Sequence, residues 1–169
     1  MAQITLKGNP VHTSGELPII GTAAHPFTLT ATDLSEVSLE DLKGQNVILS
    51  IFPSCDTPTC ATSVRQFNEK AAACPNTVVC CISADLPFAH KRFCTTENIK
   101  NVQPLSTFRH PEFGQNYGCY ISDGPIKGLL ARAVIVINPA GDITHCELVD
   151  EIADEPNYQA ALDAIVSLA

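Results

Sequence analysis

Two unbroken apolar runs dominate the first half of the chain. NVILSIF occupies residues 46–52 and TVVCCISA occupies residues 77–84. Continuous apolar and β-branched runs of this length are typical of strands that are buried on both faces of a sheet. We therefore predict two central strands, each covered by other elements on both sides.

The segments that follow these runs are expected to be helical. Residues 58–74 carry Val64, Phe67 and Ala71 at i, i+3 and i+7, which predicts an amphipathic helix. Residues 87–99 predict a second helix. A strand, a helix and a second strand in this order form the unit that joins parallel neighbours in a sheet.

Shorter patterns predict the remaining elements. Alternation around Gly8-Asn9-Pro10 predicts a hairpin over residues 4–13. FTLTATD and VQPLSTF read as strands, SLEDLKGQ as one turn of helix, and PEFGQNYG as a short helix. Near the end, we predict strands over 130–137 and 142–149 joined by a turn with Gly141, then a helix in NYQAALDAIVSLA with Ala161, Ile165 and Leu168 on one face.

This order of elements predicts an α/β protein. It matches a thioredoxin-like fold, with a mixed central sheet flanked by helices and an N-terminal β-hairpin extension. The length of 169 residues and the absence of a linker predict a single domain over residues 1–169.

Composition narrows the classes of protein that remain. The formal net charge is −8 and the cations are scattered, which argues against nucleic-acid binding. No apolar run is long enough for a transmembrane helix, and the first residues do not resemble a signal peptide. We expect a cytoplasmic protein that does not bind membranes.

The chain is rich in cysteine, with eight residues of this type at positions 55, 60, 74, 80, 81, 94, 119 and 146. A secreted disulfide scaffold would be short and loop-rich, unlike this chain. The sequence contains no CxxC pair, so it gives no indication of a zinc site. Cys80 and Cys81 should point to opposite faces of their strand, which argues against joint metal ligation. Most of these thiols are expected to be buried and inert, and no metal or cofactor is expected.

Cys60 is the exception because of its position at the start of the first long helix. Thr57 is suited to the N-cap and Pro58 to the first helical position, so Cys60 falls near the third. Unpaired N–H groups and the helix dipole favour an anion there, and the thiolate is the nucleophilic form of cysteine. The alternative is a structural cysteine that happens to lie near a helix start.

The spacing Pro53-x-x-x-Thr57-x-x-Cys60 has the form of the peroxiredoxin active-site motif. Over nearly its full length the chain is similar to the thiol peroxidase subfamily, the bacterial atypical 2-Cys peroxiredoxins. The stretches that carry the resemblance are GNPV, FTLTATDLSEVSLEDLKG, NVILSIFPSCDTPTCATSVRQFNEKAA, CISADLPFAHKRFC, NVQPLSTFR, GLLARAVIVI and ELVDEIADEPNYQAAL.

The resemblance implies a role for each matching residue. Cys60 would be the peroxidatic cysteine and Cys94 the resolving cysteine, which would form a disulfide within one chain. Thr57 would hold the peroxide and the thiolate, Pro53 would shield the site from water, and Arg132 would be the arginine of the motif. The resemblance also implies alkyl, lipid and hydrogen peroxides as substrates, thioredoxin as the reductant, and a homodimer.

Residue-level reasoning leaves several alternatives open. Arg132 could instead be a solvent-facing residue of an edge strand, and Cys94 could be a core cysteine. Cys94 is predicted inside a helix, so a disulfide with Cys60 would need local unwinding. Cys55 departs from the family pattern and could compete as the resolving thiol. Two alternative functions stay open. The protein could be a redox sensor or relay without enzyme activity, or it could be a metal-binding domain.

Overall fold

A seven-stranded mixed sheet forms the centre of the fold. The computed structural model describes residues 1–71 and 73–165, apart from the side chain of Ala71. Its strands are β1 (Gln3–Leu6), β2 (Asn9–His12), β3 (Thr28–Ala31), β4 (Glu36–Ser38), β5 (Asn46–Ile51), β6 (Thr77–Ser83), β7 (Gln103–Ser106), β8 (Ala133–Ile137) and β9 (Ile143–Leu148). Its helices are α1 (Pro58–Ala71), α2 (Pro87–Thr96), α3 (Glu112–Asn116) and α4 (Tyr158–Asp163), with a 3-10 turn at Glu40–Leu42.

The order of strands across the sheet is β4-β3-β7-β6-β5-β8-β9. The pairs β5–β6 and β6–β7 are parallel, whereas β3–β4, β3–β7, β5–β8 and β8–β9 are antiparallel. Strands β1 and β2 form a separate antiparallel hairpin. The predicted mixed sheet with helices and an N-terminal hairpin is therefore confirmed. Among the described residues, no helix has the length and apolarity needed to cross a bilayer.

Two apolar clusters cover the two faces of this sheet. In β5, Leu49 belongs to one cluster and Ile48 to the other, and both side chains are fully buried. Cys80 belongs to the same cluster as Leu49 and Cys81 to the same cluster as Ile48, which confirms that the two cysteines point to opposite faces of the sheet. Helix α1 packs its apolar residues, including Phe67, into the second cluster. This second cluster also contains Cys60.

Some element boundaries differ from the prediction. The first hairpin turns at Lys7 and Gly8, which both have positive φ, so Asn9 and Pro10 lie in β2 and not in the turn. Helix α2 ends at Thr96, before the predicted residue 99. Asn98 adopts a left-handed conformation, and the Ile99 N–H donates to the Cys94 carbonyl at 2.8 Å, which is a helix-terminating arrangement.

Other differences concern the ends of α1 and α4 and strand β4. Helix α1 ends at Ala71 and residues 73 and 74 are not helical, so the prediction over 58–74 was too long; the side chain of Ala71 lies outside the description. The last predicted helix runs only from Tyr158 to Asp163, so Ile165 lies after it, and Leu168 lies outside the described residues. Strand β4 was not predicted, because it has only three residues and no extended apolar alternation.

Candidate active site

Cys60 lies on the third residue of α1, directly after the connection from the central strand β5. Its side chain is completely buried. Thr57 precedes the helix, and its carbonyl accepts from the Ala61 N–H at 3.0 Å. Its hydroxyl donates to the Ser54 carbonyl at 3.1 Å instead of capping a helical N–H. The predicted helix start is therefore confirmed, although the Thr57 side chain is turned towards the loop.

Arg132 brings a positive charge to Cys60 from a distant part of the chain. Its Nη2 donates to Cys60 Sγ at 3.2 Å, and its Nε donates to the Ile152 carbonyl at 2.9 Å. Only 2% of Arg132 is exposed. It directly precedes β8, an internal strand between β5 and β9, so the alternative of a solvent-facing residue on an edge strand is wrong.

One donor of Arg132 is left over in this arrangement. In the part of the chain that the structure describes, Nη1 is buried and has no hydrogen-bond partner. A buried guanidinium N–H without an acceptor is costly, so such a group is expected to receive an oxygen when a ligand binds. The pair Arg132–Cys60 thus places a buried thiol next to a donor that has no partner among the described residues.

The other predicted site residues lie around this pair at different depths. Pro53 is buried in the β5–α1 connection, and Thr57 is half-buried at the end of the same connection. Cys94 is half-buried on α2 and packs against the cluster that contains Cys60. Burial raises the pKa of Cys94 to about 11. The exposed pair Arg92–Asp56, at 3.3 Å, links α2 to the connection before Cys60.

No disulfide is formed between these segments, since all eight cysteines lie within the described residues and are free thiols. Cys55 is only 2% exposed. Its burial, together with the charge of Asp85 and a hydrogen bond to that carboxylate, raises the pKa of Cys55 to about 12. A thiol in this environment is a poor nucleophile at neutral pH.

The remaining cysteines have environments typical of structural thiols. Burial raises the pKa of Cys80 and that of Cys119 to about 12. Cys74 donates to the Lys70 carbonyl at 3.4 Å, and Cys146 donates to the Pro18 carbonyl at 3.2 Å.

Sequence reasoning missed a polar group beside the active-site connection. The group consists of Asp85, the three donors that its carboxylate accepts from, namely the Ser54 and Ser83 hydroxyls and the Cys55 N–H, and His90, which is hydrogen-bonded to Ser83. A signal for it was available in ISADLP, where a carboxylate follows the end of β6. Because β5 and β6 are parallel neighbours, the residues after both strands meet at one edge of the sheet.

Comparison with known proteins agrees with this geometry. A family model described as Redoxin matches residues 19–162. The chain is 57% identical to a thiol peroxidase of Mycobacterium tuberculosis over 165 residues, covering 98% of this chain and 99% of the relative. It is 52% identical to a thiol peroxidase of Corynebacterium glutamicum over the same length and with the same coverage.

Solved structures show the same fold. A peroxiredoxin-like protein from Aquifex aeolicus superimposes with a TM-score of 0.91 at 39% identity, over 96% of this chain and 95% of that one. A thiol peroxidase from Chromobacterium violaceum has a TM-score of 0.88 at 20% identity, over 95% and 93% of the two chains, and supports the fold alone. The predicted thioredoxin-like class is thus confirmed. The chain belongs to the Redoxin family and, within it, to the peroxiredoxins of the thiol peroxidase type, which makes it a peroxidase.

Proposed function

We propose that this peroxidase reduces hydroperoxides at Cys60 and closes its cycle through a disulfide between Cys60 and Cys94. The observation that carries the proposal is the contact of Arg132 Nη2 with Cys60 Sγ at 3.2 Å, next to Nη1, which has no hydrogen-bond partner within the described residues. A peroxidatic thiol needs a stabilised thiolate and a donor for the oxygen that leaves, and these two nitrogens meet both needs.

In the first step, the Cys60 thiolate attacks the terminal oxygen of the peroxide. The S–O bond forms as the O–O bond breaks, and the leaving group, an alkoxide or hydroxide, takes a proton from the solvent to give an alcohol or water. The sulfur is oxidised by two electrons to a sulfenic acid. Arg132 stabilises the charge on the sulfur and on the leaving oxygen, and Pro53 excludes water from the site. The Thr57 hydroxyl donates its proton to the Ser54 carbonyl, so it orients the peroxide by accepting the peroxide O–H.

In the second step, the Cys94 thiol condenses with the sulfenic acid. The S–S bond forms as the S–O bond breaks, and the oxygen leaves as water with the proton from Cys94. Cys94 is favoured over Cys55 because the resemblance assigns the resolving role to Cys94, and because burial and the charge of Asp85 together raise the pKa of Cys55 to about 12. Burial also raises the pKa of Cys94, so this step needs the local opening that exposes its thiol.

The third step returns both sulfurs to the thiol form. We infer that a dithiol protein of the thioredoxin class supplies two electrons by exchange with the Cys60–Cys94 disulfide. The apolar residues in the same cluster as Cys60, such as Phe52 and Val64, favour alkyl and lipid hydroperoxides over hydrogen peroxide as substrates.

The remaining features of the proposal follow the same resemblance. The whole chain is taken as a single domain that works in the cytoplasm, where free thiols persist.

We propose that the protein is a homodimer in which apolar surfaces of the two subunits, near the active-site connection, pack against each other. Leu86 and Phe88 are 51% and 65% exposed at the start of α2, which suits such a contact. Sedimentation of the wild type and of Phe88→Asp tests the dimer, which should dissociate in the variant.

A coupled assay with thioredoxin, thioredoxin reductase and NADPH tests the proposed function. We expect NADPH oxidation with both cumene hydroperoxide and hydrogen peroxide, and a Cys60–Cys94 peptide link in protein oxidised with one equivalent of peroxide. Peroxide consumption without that link would overturn the resolving role of Cys94. If peroxide is not reduced in the presence of thioredoxin but is reduced with another thiol, the assignment of thioredoxin as the reductant is overturned.

A further inference from the structure

The carboxylate of Asp85 accepts hydrogen bonds from two segments that are separate in sequence. From the β5–α1 connection, the Ser54 hydroxyl donates to Oδ1 at 2.8 Å and the Cys55 N–H donates to Oδ2 at 2.8 Å. From the end of β6, the Ser83 hydroxyl donates to Oδ2 at 2.6 Å. Hydrogen bonds to an ionised acceptor are stronger than neutral ones.

The same network reaches helix α2 through Ser83. The Ser83 hydroxyl lies 2.8 Å from His90 Nε2, and both side chains are buried. Because the single hydroxyl proton of Ser83 is donated to Asp85, His90 must donate its Nε2–H to Ser83. Within the described residues, His90 Nδ1 has no partner, which fits its being the unprotonated nitrogen of a neutral ring. Burial, which outweighs the charge of Asp85, lowers the pKa of His90.

Each end of this network belongs to a segment that carries one of the two cysteines of the proposed disulfide. Ser54 and Cys55 belong to the connection that leads into the first turn of α1, where Cys60 lies. His90 and Cys94 are four residues apart on α2, so they occupy the same face of the helix. Although burial alone would raise the pKa of Asp85, the hydrogen bonds from Ser83, Cys55 and Ser54 lower it, which keeps the acceptor charged at neutral pH.

We propose that Asp85 is a positioning residue that fastens the Cys60 connection and the Cys94 helix to each other, so that both segments open together when the disulfide forms. The proposal rests on the Cys60–Cys94 disulfide of the proposed function. When it is closed, the network holds both segments in the conformation in which Cys60 contacts Arg132 and Cys60 and Cys94 are free thiols. Its rupture is the shared step that lets the Cys94 sulfur replace the sulfenic oxygen of Cys60, with release of water.

The substitution Asp85→Asn tests this role, because it keeps the size of the side chain but removes the charge and one acceptor. In the reduced protein, we expect amide hydrogen exchange to accelerate roughly tenfold in both 54–57 and 88–96, since hydrogen bonds to charged groups contribute at this scale. The milder Ser54→Ala removes one bond and should accelerate both segments to a smaller extent. Acceleration in one segment only, or in neither, would overturn the shared opening.

The matched control is Asp123→Asn. Asp123 also accepts two hydrogen bonds, from the N–H and the ring of His12 at 2.7 Å each, and also joins segments that are distant in sequence. If Asp85 has the proposed role, this control leaves exchange in 54–57 and 88–96 unchanged. Equal acceleration by both variants would mean that Asp85→Asn acts only through general destabilisation, which would overturn the proposal.

A rapid-quench experiment with one equivalent of hydrogen peroxide separates this proposal from the proposed function. Mass spectrometry follows the sulfenic acid and the Cys60–Cys94 disulfide over time. We expect Asp85→Asn to form the disulfide roughly tenfold faster from the sulfenic acid, with less over-oxidation of Cys60 at high peroxide. Equal rates in wild type and variant would overturn the role of Asp85. A wild type without the disulfide would overturn the proposed function, and hydrogen exchange would then still decide whether the two segments open together.

Discussion

Arg132 Nη2 lies 3.2 Å from Cys60 Sγ, although the two residues are 72 positions apart in the chain. The arginine is held from the other side by the Ile152 carbonyl, which accepts from its Nε at 2.9 Å. The guanidinium is therefore fixed independently of the helix that carries the cysteine. Substitutions at the two positions should have separable effects.

Replacing Cys60 by Ser should abolish peroxidase turnover and leave the fold intact. The hydroxyl is nearly isosteric with the thiol but is a far weaker nucleophile at neutral pH. Peroxide consumption and thermal unfolding measure the two parts of this prediction. Cys74→Ser, at a half-buried cysteine away from the site, is the control and should retain activity. Turnover above a few per cent of wild type in Cys60→Ser would contradict the assignment of the nucleophile.

Replacing Arg132 by Met should slow the oxidation of Cys60 by about 10²-fold, the scale observed when one charge-stabilising donor is removed. Methionine fills much of the space without supplying the charge or the free Nη1 donor. Single-turnover oxidation by hydrogen peroxide, followed by mass spectrometry, gives the rate. The control is Arg65→Met on α1, where Arg65 lies 3.4 Å from Glu97 at the surface. Similar rates in the two variants would show that the Arg132–Cys60 contact is not used in the reaction.

Replacing Cys94 by Ser should stop the enzyme after about one equivalent of peroxide. Without a resolving thiol, Cys60 should accumulate as sulfenic acid and its over-oxidised products. The matched variant Cys55→Ser should retain near-normal thioredoxin-coupled turnover, because Cys55 is buried with its pKa raised to about 12. A Cys55–Cys60 link in the oxidised wild type, with normal turnover of Cys94→Ser, would assign resolution to Cys55 instead.

Glu151 should make stability depend on pH in the acidic range. Its carboxylate accepts from the Ala153 N–H at 2.9 Å and the Gly8 N–H at 2.7 Å, and these bonds lower the pKa of Glu151 from 4.5 to about 2. A carboxyl group whose pKa is lower in the folded than in the unfolded protein stabilises the fold at pH values above its unfolded-state pKa. This stabilisation is lost as the pH falls through the folded-state pKa. The melting temperature should therefore decrease as pH falls from 4.5 towards 2.

The variant Glu151→Gln should be less stable than wild type at neutral pH and should lose less stability on acidification. Thermal unfolding over this pH range measures both effects. Glu69→Gln, at an exposed position on α1, controls for the loss of one carboxyl group. If Glu151→Gln shows the same pH dependence as wild type, the contacts with the N-terminal hairpin do not hold the ionised carboxylate in solution.

The parts of the fold that could be predicted from the sequence are those encoded by local patterns. Strands β5 and β6 are continuous apolar runs, and Thr57-Pro58 marks the start of α1 within a few residues. The end of α2 was misplaced because the apolar residue Ile99 extends the apparent helical pattern, although Asn98 is of a type that often adopts the left-handed conformation after a helix. Strand β4 is held by its pairing with β3, which no local pattern indicates.

The site could be predicted only where a motif names the residues. Pro53, Thr57 and Cys60 lie close together in the chain, and the resemblance supplied Arg132 and Cys94. The burial of Arg132 depends on β8 being an internal strand, which is a property of the sheet order. Asp85 was missed because two of its donors, the Ser54 hydroxyl and the Cys55 N–H, come from the segment after β5. His90 joins this group only through Ser83 at the end of β6, so the group exists only after β5 and β6 have paired.

The fixed position of Arg132 has a consequence for the energetics of reduction. Its contact with Cys60 and the hydrogen bonds around Asp85 exist in the dithiol form that the structure represents. Interactions confined to the dithiol form raise the midpoint reduction potential of the corresponding disulfide, because they stabilise the product of reduction. For the proposed Cys60–Cys94 disulfide, the closed fold would therefore make electron transfer from a dithiol protein more favourable, and the contacts that are proposed to prepare the nucleophile would also drive its regeneration.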